Sequence, residues 1–305
     1  MAKFASSSKQ ALTVIKDIQE NGEFGNSSVN GFKDTLKVLQ DRYEEYFQAG
    51  YLNERLGSLQ ELTIDQAKDY LALRACDVEQ KTLDHDRHTI QAMFHFSTNK
   101  LSLDKALSVV KSENDNKQLS SRVYTSKQIE SFVNHQREAN ALATEIASFA
   151  GLRAHEILTI SRPSEQPITA RFYKEPAQHK FKGLNGVKYT VQGKGGLIRE
   201  IVISHELAKR LENLRLDNSR TVVDRKINYT QRYDISGGQK WSNSFSAASN
   251  RALGWSRGAH GVRHSYAQRR VLELQKRGIS PSEAKRTASQ EMGHFRASII
   301  EVYLR

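Results

Sequence analysis

The sequence predicts a mainly α-helical chain of two domains with one small β-hairpin, an α+β fold. Three observations carry this. From Phe32 to about Val110 the apolar residues recur at intervals of three and four, the period of a helix that buries one face. Residues 187–204 form two strand-like runs around a glycine-rich turn. Charge divides the chain: residues 151–305 hold 28 Lys+Arg against 13 Asp+Glu, whereas residues 1–150 hold 18 against 21. At 305 residues there is enough chain for two ordinary domains, each with its own core.

In order, Ser6-Ser7-Ser8 caps a short helix through Ala11–Ile18. Residues 21–30, rich in Gly, Asn and Ser, read as a linker, so 1–31 forms an N-terminal segment. Phe32, Leu36, Leu39, Tyr43 and Phe47 make the first buried stripe. Thr63 stands before Ile64-Asp65-Gln66 as the cap of a helix that carries Ala67, Tyr70 and Leu71. Residues 82–96 offer Leu83, Ile90, Met93 and Phe94, and a fourth helix is expected over Ser102–Val110. Together these make a helical bundle over 32–121. His85, His88 and His95 lie close together in it, and a solvated helix surface is the expectation there, since no further metal ligands can be found. Residues 112–121 are polar without apolar periodicity, which puts an interdomain linker near 115–124.

The second domain, 122–305, begins with a capped helix start at Thr125-Ser126-Lys127-Gln128, expected to run to about Gly151. Arg153 opens or precedes the next helix. Residues 162–186 contain three Pro and read as a long connection. Val187–Gln192 and Leu197–Ser204 are the strands, and Gly193-Lys194-Gly195-Gly196 is the turn between them. An amphipathic helix is expected over His205–Leu216, and residues 220–239 carry no clear pattern. Helices follow at Ser242–Leu253 and His260–Leu274. Ser280-Pro281-Ser282-Glu283 starts another, with Ser at the N-cap, Pro at N1 and Glu at N3.

The end of the chain concentrates reactive groups. His260 and Arg263 lie three apart, on one face of a helix. His294 follows Gly293, and Tyr303 comes nine residues later. Arg presents a planar fork of donors to phosphate oxygens. His moves protons near neutral pH. A Tyr hydroxyl becomes a covalent nucleophile once its proton is taken. The combination suggests a phosphate under nucleophilic attack, and the basic half suggests a polyanion partner. P-loop and G-x-G-x-x-G motifs are absent, so nothing indicates ATP or a dinucleotide. The single cysteine, Cys76, excludes an internal disulfide and a cysteine-cluster metal site, and no cofactor or metal is expected. Mean hydropathy is −0.63, and neither a membrane-length apolar run nor a signal core is present.

Two upstream stretches complete a pattern. Residues 151–158 read Gly-Leu-Arg-Ala-His-Glu-Ile-Leu, and residues 193–199 read Gly-Lys-Gly-Gly-Leu-Ile-Arg. With H-x-x-R, G-H and the final Tyr in the same order, residues 151–305, about half the chain, resemble the tyrosine recombinases, the family of phage integrases and Xer-type resolvases. The resemblance implies a helical core-binding domain at 32–121 and a catalytic domain at 122–305. It implies Tyr303 as nucleophile toward a DNA phosphate, Arg153 and Arg263 as clamps on the non-bridging oxygens, and Lys194 as general acid for the leaving 5′ oxygen. It further implies His260 as acceptor or guide of the tyrosine proton, His294 as donor to a phosphate oxygen, and a mainly structural Glu156. The implied activity is site-specific recombination through a 3′-phosphotyrosyl intermediate and a Holliday junction. The implied partners are double-stranded DNA with specific sites and three further copies in a tetramer, with a host DNA-bending factor as a possible addition. The implied location is the bacterial cytoplasm. Type IB topoisomerase-like relaxation of DNA, or catalytically silent DNA binding, are the alternatives. Many members of that family continue past the tyrosine with a helix that docks into a neighbouring subunit; here Leu304 and Arg305 follow it.

Overall fold

The computed structural model describes residues 5–22, 24, 26–114, 121–170 and 175–305, without the side chains of residues 26, 27 and 194. It divides into two compact units, Met1–Gln118 and Leu119–Arg305. Most of the stretch expected as linker, 115–124, lies outside the described residues.

The first unit packs α1 (Ser7–Asn21), α2 (Asn26–Gln48), α3 (Ile64–Asp77) and α4 (Gln80–Phe96). Its core is the set the periodicity marks, Leu36, Leu39, Tyr43, Tyr70, Ile90 and Met93 among them. Ala11, Val14, Ile15 and Ile18 of α1 join that core, so residues 7–21 belong to the packed unit, and residues 26–30, expected as linker, form the first turn of α2. At α3 the Thr63 Oγ1 accepts from the Gln66 amide at 3.1 Å and the Gln66 carboxamide oxygen accepts from the Thr63 amide at 3.0 Å, a reciprocal cap.

The helix expected over 102–110 does not form. Side chains of α4 supply the partners that a helix would have given this backbone: Arg87 donates to the Leu107 carbonyl at 3.0 Å, Gln91 accepts from the Leu107 amide at 3.1 Å, and Gln80 donates to the Val110 carbonyl at 2.9 Å. Leu107 is buried there, while Leu103 and Val109 stay exposed. The nearby histidines are satisfied locally, His85 by the Thr35 hydroxyl at 2.9 Å and His95 by the Leu101 carbonyl at 3.2 Å.

The second unit starts with α5 (Ser126–Asn134) and α6 (Glu138–Ala150), separated by a break at 135–137 where one helix was expected. Two separate antiparallel hairpins follow. The first joins β1 (Val187–Gln192) and β2 (Ile198–Ile203), with Val191 opposite Arg199. After α8 (His205–Glu212) comes a hairpin that the sequence did not announce, β3 (Arg215–Asp224) and β4 (Ile227–Tyr233). Its strand β3 takes the last part of the helix expected to reach Leu216. Its tip turns on Arg225 and Lys226, both at positive φ. The chain then runs through α9 (Gly238–Leu253), α10 (Gly261–Lys276) and α11 (Pro281–Glu291) into a closing 3₁₀ turn, Ala297–Val302. A core of Phe132, Ile146, Val191, Trp241 and Phe245 fills the centre, and Tyr266, Leu274, Ala288, Met292 and Ile300 form a second cluster under α10 and α11.

Candidate active site

The site begins where α6 stops. Gly151 ends that helix in the left-handed region at φ 63°, and a Cβ there would lie 2.5 Å from the Tyr266 ring. Only glycine meets both conditions. The turn buries Leu152 and leaves Arg153 at the N-cap of the single-turn α7 (Ala154–Ile157). Glu156, fully buried, reaches back: one carboxylate oxygen accepts from the Arg153 amide at 2.8 Å and the other from the Arg153 guanidinium at 2.8 Å. Arg199 of β2 donates to the same carboxylate at 2.8 Å, and Arg263 lies 3.6 Å from it. One carboxylate thus holds three guanidinium groups.

Arg263, in the first turn of α10, is fully buried. It donates to the Gly151 carbonyl and, at 3.2 Å, to the Met292 carbonyl. His294 Nε2 stands 3.3 Å from Arg263 Nη2 and 3.5 Å from Arg153 Nη2. Tyr303 is 6% exposed at the end of the 3₁₀ turn. Its ring centre lies 5.7 Å from that of His260, 5.6 Å from that of His294 and 5.6 Å from the Arg263 guanidinium carbon. Of the six residues expected from the sequence, Arg153, His260, Arg263, His294 and Tyr303 therefore come together. The backbone of Lys194 lies in the turn between β1 and β2, and its side chain falls outside what is described. Its neighbour Gly193 does line, with Arg153, Leu197, Gly293, His294 and Phe295, a cleft of about 280 Å³.

Sequence reasoning missed two partners. Arg199 is the last residue of the Gly-Lys-Gly box, yet it faces inward and is 3% exposed. His264 follows Arg263 directly, and its ring centre is 4.9 Å from that of Tyr303, nearer than either expected histidine. Its spacing of four from His260 was the available signal.

The long connection 162–186 also has a structural role beyond residues 171–174, which lie outside the described set. The Ala177 amide donates to Gln290 at 2.9 Å, the Gln178 amide to Glu283 at 3.0 Å and the Phe181 amide to Glu291 at 2.6 Å. Glu291 is buried, accepts from Tyr266 at 2.8 Å and pairs through both oxygens with Arg270. This strap fixes α11 three residues before His294.

The electrostatics follow from burial. Desolvation would raise the Glu156 carboxyl, but Arg199, Arg263 and Arg153 more than offset it and hold the group far below the usual carboxylate range. Burial and the neighbouring Arg153, only partly countered by Glu156, bring Arg263 down to about 10, which leaves it charged at neutral pH. Loss of hydration, then Arg263, lower His294 to about 3 and His260 to about 4; the same loss of hydration, then Arg122, lowers His264 to about 4. At neutral pH the cluster is three guanidiniums, neutral imidazoles and one carboxylate, a charge excess that fits an entering anion.

The sign of the pH dependence is fixed by these directions. The unfolded chain protonates its histidines below about pH 6.5, whereas folded His264 and His294 stay neutral, so stability falls as pH drops from there toward 4. Glu156, depressed in the fold, adds a second loss below its unfolded value. His260 keeps an open edge toward solvent and contributes least. Thermal unfolding followed from pH 7 to pH 4 is expected to show a steadily falling midpoint, with a shallower fall in His264→Gln. A midpoint independent of pH over that range would contradict the buried neutral imidazoles.

No protein-family profile and no curated protein sequence matches the chain. Among solved structures it is similar to the XerH site-specific recombinase bound to palindromic difH substrate, at 17% identity over 99% of this chain and 82% of that one, with a TM-score of 0.57. It is similar to the Tn1549 transposon integrase in complex with circular intermediate DNA, at 15% identity over 97% and 94%, with a TM-score of 0.54. A lambda integrase tetramer bound to a Holliday junction matches at 14% identity over 97% and 76%, with a TM-score of 0.53. The chain has the fold of these proteins.

Proposed function

We propose that this chain is a tyrosine-type site-specific DNA recombinase. The observation that carries the reading is the meeting of Arg153, Arg263 and His294 around the ring of Tyr303, on the fold that DNA-bound recombinases and integrases share. In the first step the Tyr303 oxygen bonds to the scissile phosphorus and the bond to the 5′ oxygen breaks. The tyrosine proton leaves by way of His260, which is neutral at pH 7 and so able to accept it. Lys194 gives a proton to the departing 5′ oxygen. Arg153 and Arg263 hold the non-bridging oxygens as charge develops on them, and His294 donates to one of them. The products are a 3′-phosphotyrosyl bond and a free 5′ hydroxyl. Because the phosphodiester energy is kept in that bond, a second 5′ hydroxyl reverses the step on a new strand without ATP.

In this reading the first unit is a core-binding domain and the second the catalytic domain, and a homotetramer holds two DNA sites in a bacterial cytoplasm. A host DNA-bending factor is compatible with it. No helix among the described residues is long and apolar enough to cross a membrane. The lambda integrase tetramer on a Holliday junction supports the four-subunit arrangement over a topoisomerase that works alone.

The test pairs two substrates. With duplex DNA from the element's ends, nicked so that the cut strand is lost, a covalent adduct at Tyr303 and a branched four-way DNA product are expected. On a supercoiled plasmid without such ends, little relaxation is expected. Rapid relaxation of any plasmid, with no branched product, would favour the topoisomerase reading instead.

A further inference from the structure

One face of α10 bears on the backbone of the tyrosine as well as on its ring. His260, His264 and Gln268 recur every fourth residue and so line a single side of the helix. His264 is 6% exposed, and its ring packs at 4.9 Å and 49° against the Tyr303 ring. Its Nδ1 is buried without a hydrogen-bond partner among the described residues, and the Tyr303 backbone lies close enough to favour the ring's protonated form. One turn further on, the Gln268 carboxamide donates to the Tyr303 carbonyl at 3.4 Å and to the Arg305 carbonyl at 3.2 Å. The backbone at Tyr303 and Arg305 is thus held by its carbonyls to α10, the same helix that carries Arg263.

We propose that His264 and Gln268 are positioning residues that latch the backbone of Tyr303 and set its hydroxyl against the phosphate held by Arg153 and Arg263. The need is physical. Tyr303 caps a short 3₁₀ turn, whose hydrogen bonds are poorer than those of an α-helix, and in-line attack tolerates little error, a misplacement of about 1 Å costing roughly 10²-fold in rate. Two side chains from one rigid helix remove that freedom. His264 acts through the tyrosine: its ring packs on the Tyr303 ring, and its Nδ1 is closed off from solvent.

The proposal rests on Tyr303 being the nucleophile, so its test has one arm that needs no catalysis. In the full-length chain, His264→Leu fills the same space without a donor, His264→Gln restores a donor, and Gln268→Leu removes the second contact. Amide exchange of the peptide covering 297–305 is expected to quicken in both Leu variants and to stay near the parent rate in His264→Gln. Single-turnover adduct formation on the nicked substrate is expected to fall by about 10²-fold in His264→Leu, with an unchanged DNA dissociation constant and most of the rate recovered in His264→Gln. If His264→Leu does not fold, Gln268→Leu carries the same pair of measurements at the more open end of the contact. Unchanged exchange in the Leu variants overturns the latch whatever Tyr303 does. Quickened exchange with an undiminished adduct rate overturns its role in catalysis. An adduct that persists in Tyr303→Phe strikes at the nucleophile and leaves the exchange result standing.

Discussion

Tyr303→Phe is expected to abolish the covalent protein–DNA adduct while leaving the fold and the DNA affinity in place. The hydroxyl is the only atom lost. The ring, which packs among His260, His264, His294 and Ile300, keeps its volume and its place in the core. The cations that would meet the phosphate are untouched. No other oxygen nucleophile is expected to take its place on the phosphate, so the rate should fall on the order of 10⁴-fold or more. Adduct trapped on a nicked duplex and resolved by denaturing gel measures the rate, and a binding titration with the same duplex measures affinity. Adduct in the Phe variant at a tenth of the parent rate would remove Tyr303 from the mechanism.

The largest stability effect is expected at Glu156. In Glu156→Ala, Arg199 and Arg263, exposed by 3% and 0%, lose their shared carboxylate and remain buried beside Arg153. Breaking a buried pair in this way costs about 3–5 kcal/mol, because the remaining charge is neither solvated nor matched. Three cations around one anion put the expectation at the upper end. Glu156→Gln keeps the shape and one acceptor and is expected to lose less. Chemical denaturation gives the difference directly. Added DNA or a small oxyanion should recover part of it, since an anion in the cleft restores the charge balance. A Glu156→Ala variant as stable as the parent would mean that the three guanidiniums find other partners.

The parts of the fold that were legible in the sequence are those in which local pattern and tertiary context agree. The stripes of α2 and α4, the cap at Thr63, the turn at Gly193 and the Ser280-Pro281 start all form as spaced. Residues 102–110 and the break at 135–137 do not, for different reasons. In the first, side chains of α4 take the backbone partners, which no local rule anticipates. In the second, Asn134-His135-Gln136-Arg137 has neither Gly nor Pro, and the chain leaves the helix at His135 all the same. The β3–β4 hairpin was hidden twice over. Its strands carry Asn218, Ser219 and Arg220 outward, and its tip is Arg225-Lys226 in place of the Asn-Gly pair that usually signals such a turn. The candidate site was legible as short boxes because reactive groups must keep their chemical type. Its supports were not: that Glu156 gathers Arg199 and Arg263, or that Glu291 ties the 175–183 strap to α10, depends on residues far apart in the chain.

That same separation governs the order in which the protein can be built. Arg263 donates to the Gly151 carbonyl, 112 residues before it, and to the Met292 carbonyl, 29 residues after it. Arg199 takes its second partner from the Glu291 carbonyl, 92 residues downstream. During synthesis, therefore, the charged centre of the second unit lacks part of its set of partners until Glu291 and Met292 have left the ribosome. The first unit, whose helices share a core of their own, is free to fold before that. Contacts so distant in sequence close slowly and late. In the proposed reading, a centre assembled in this order stays incompetent on every nascent chain until the 3₁₀ turn that carries Tyr303 has arrived.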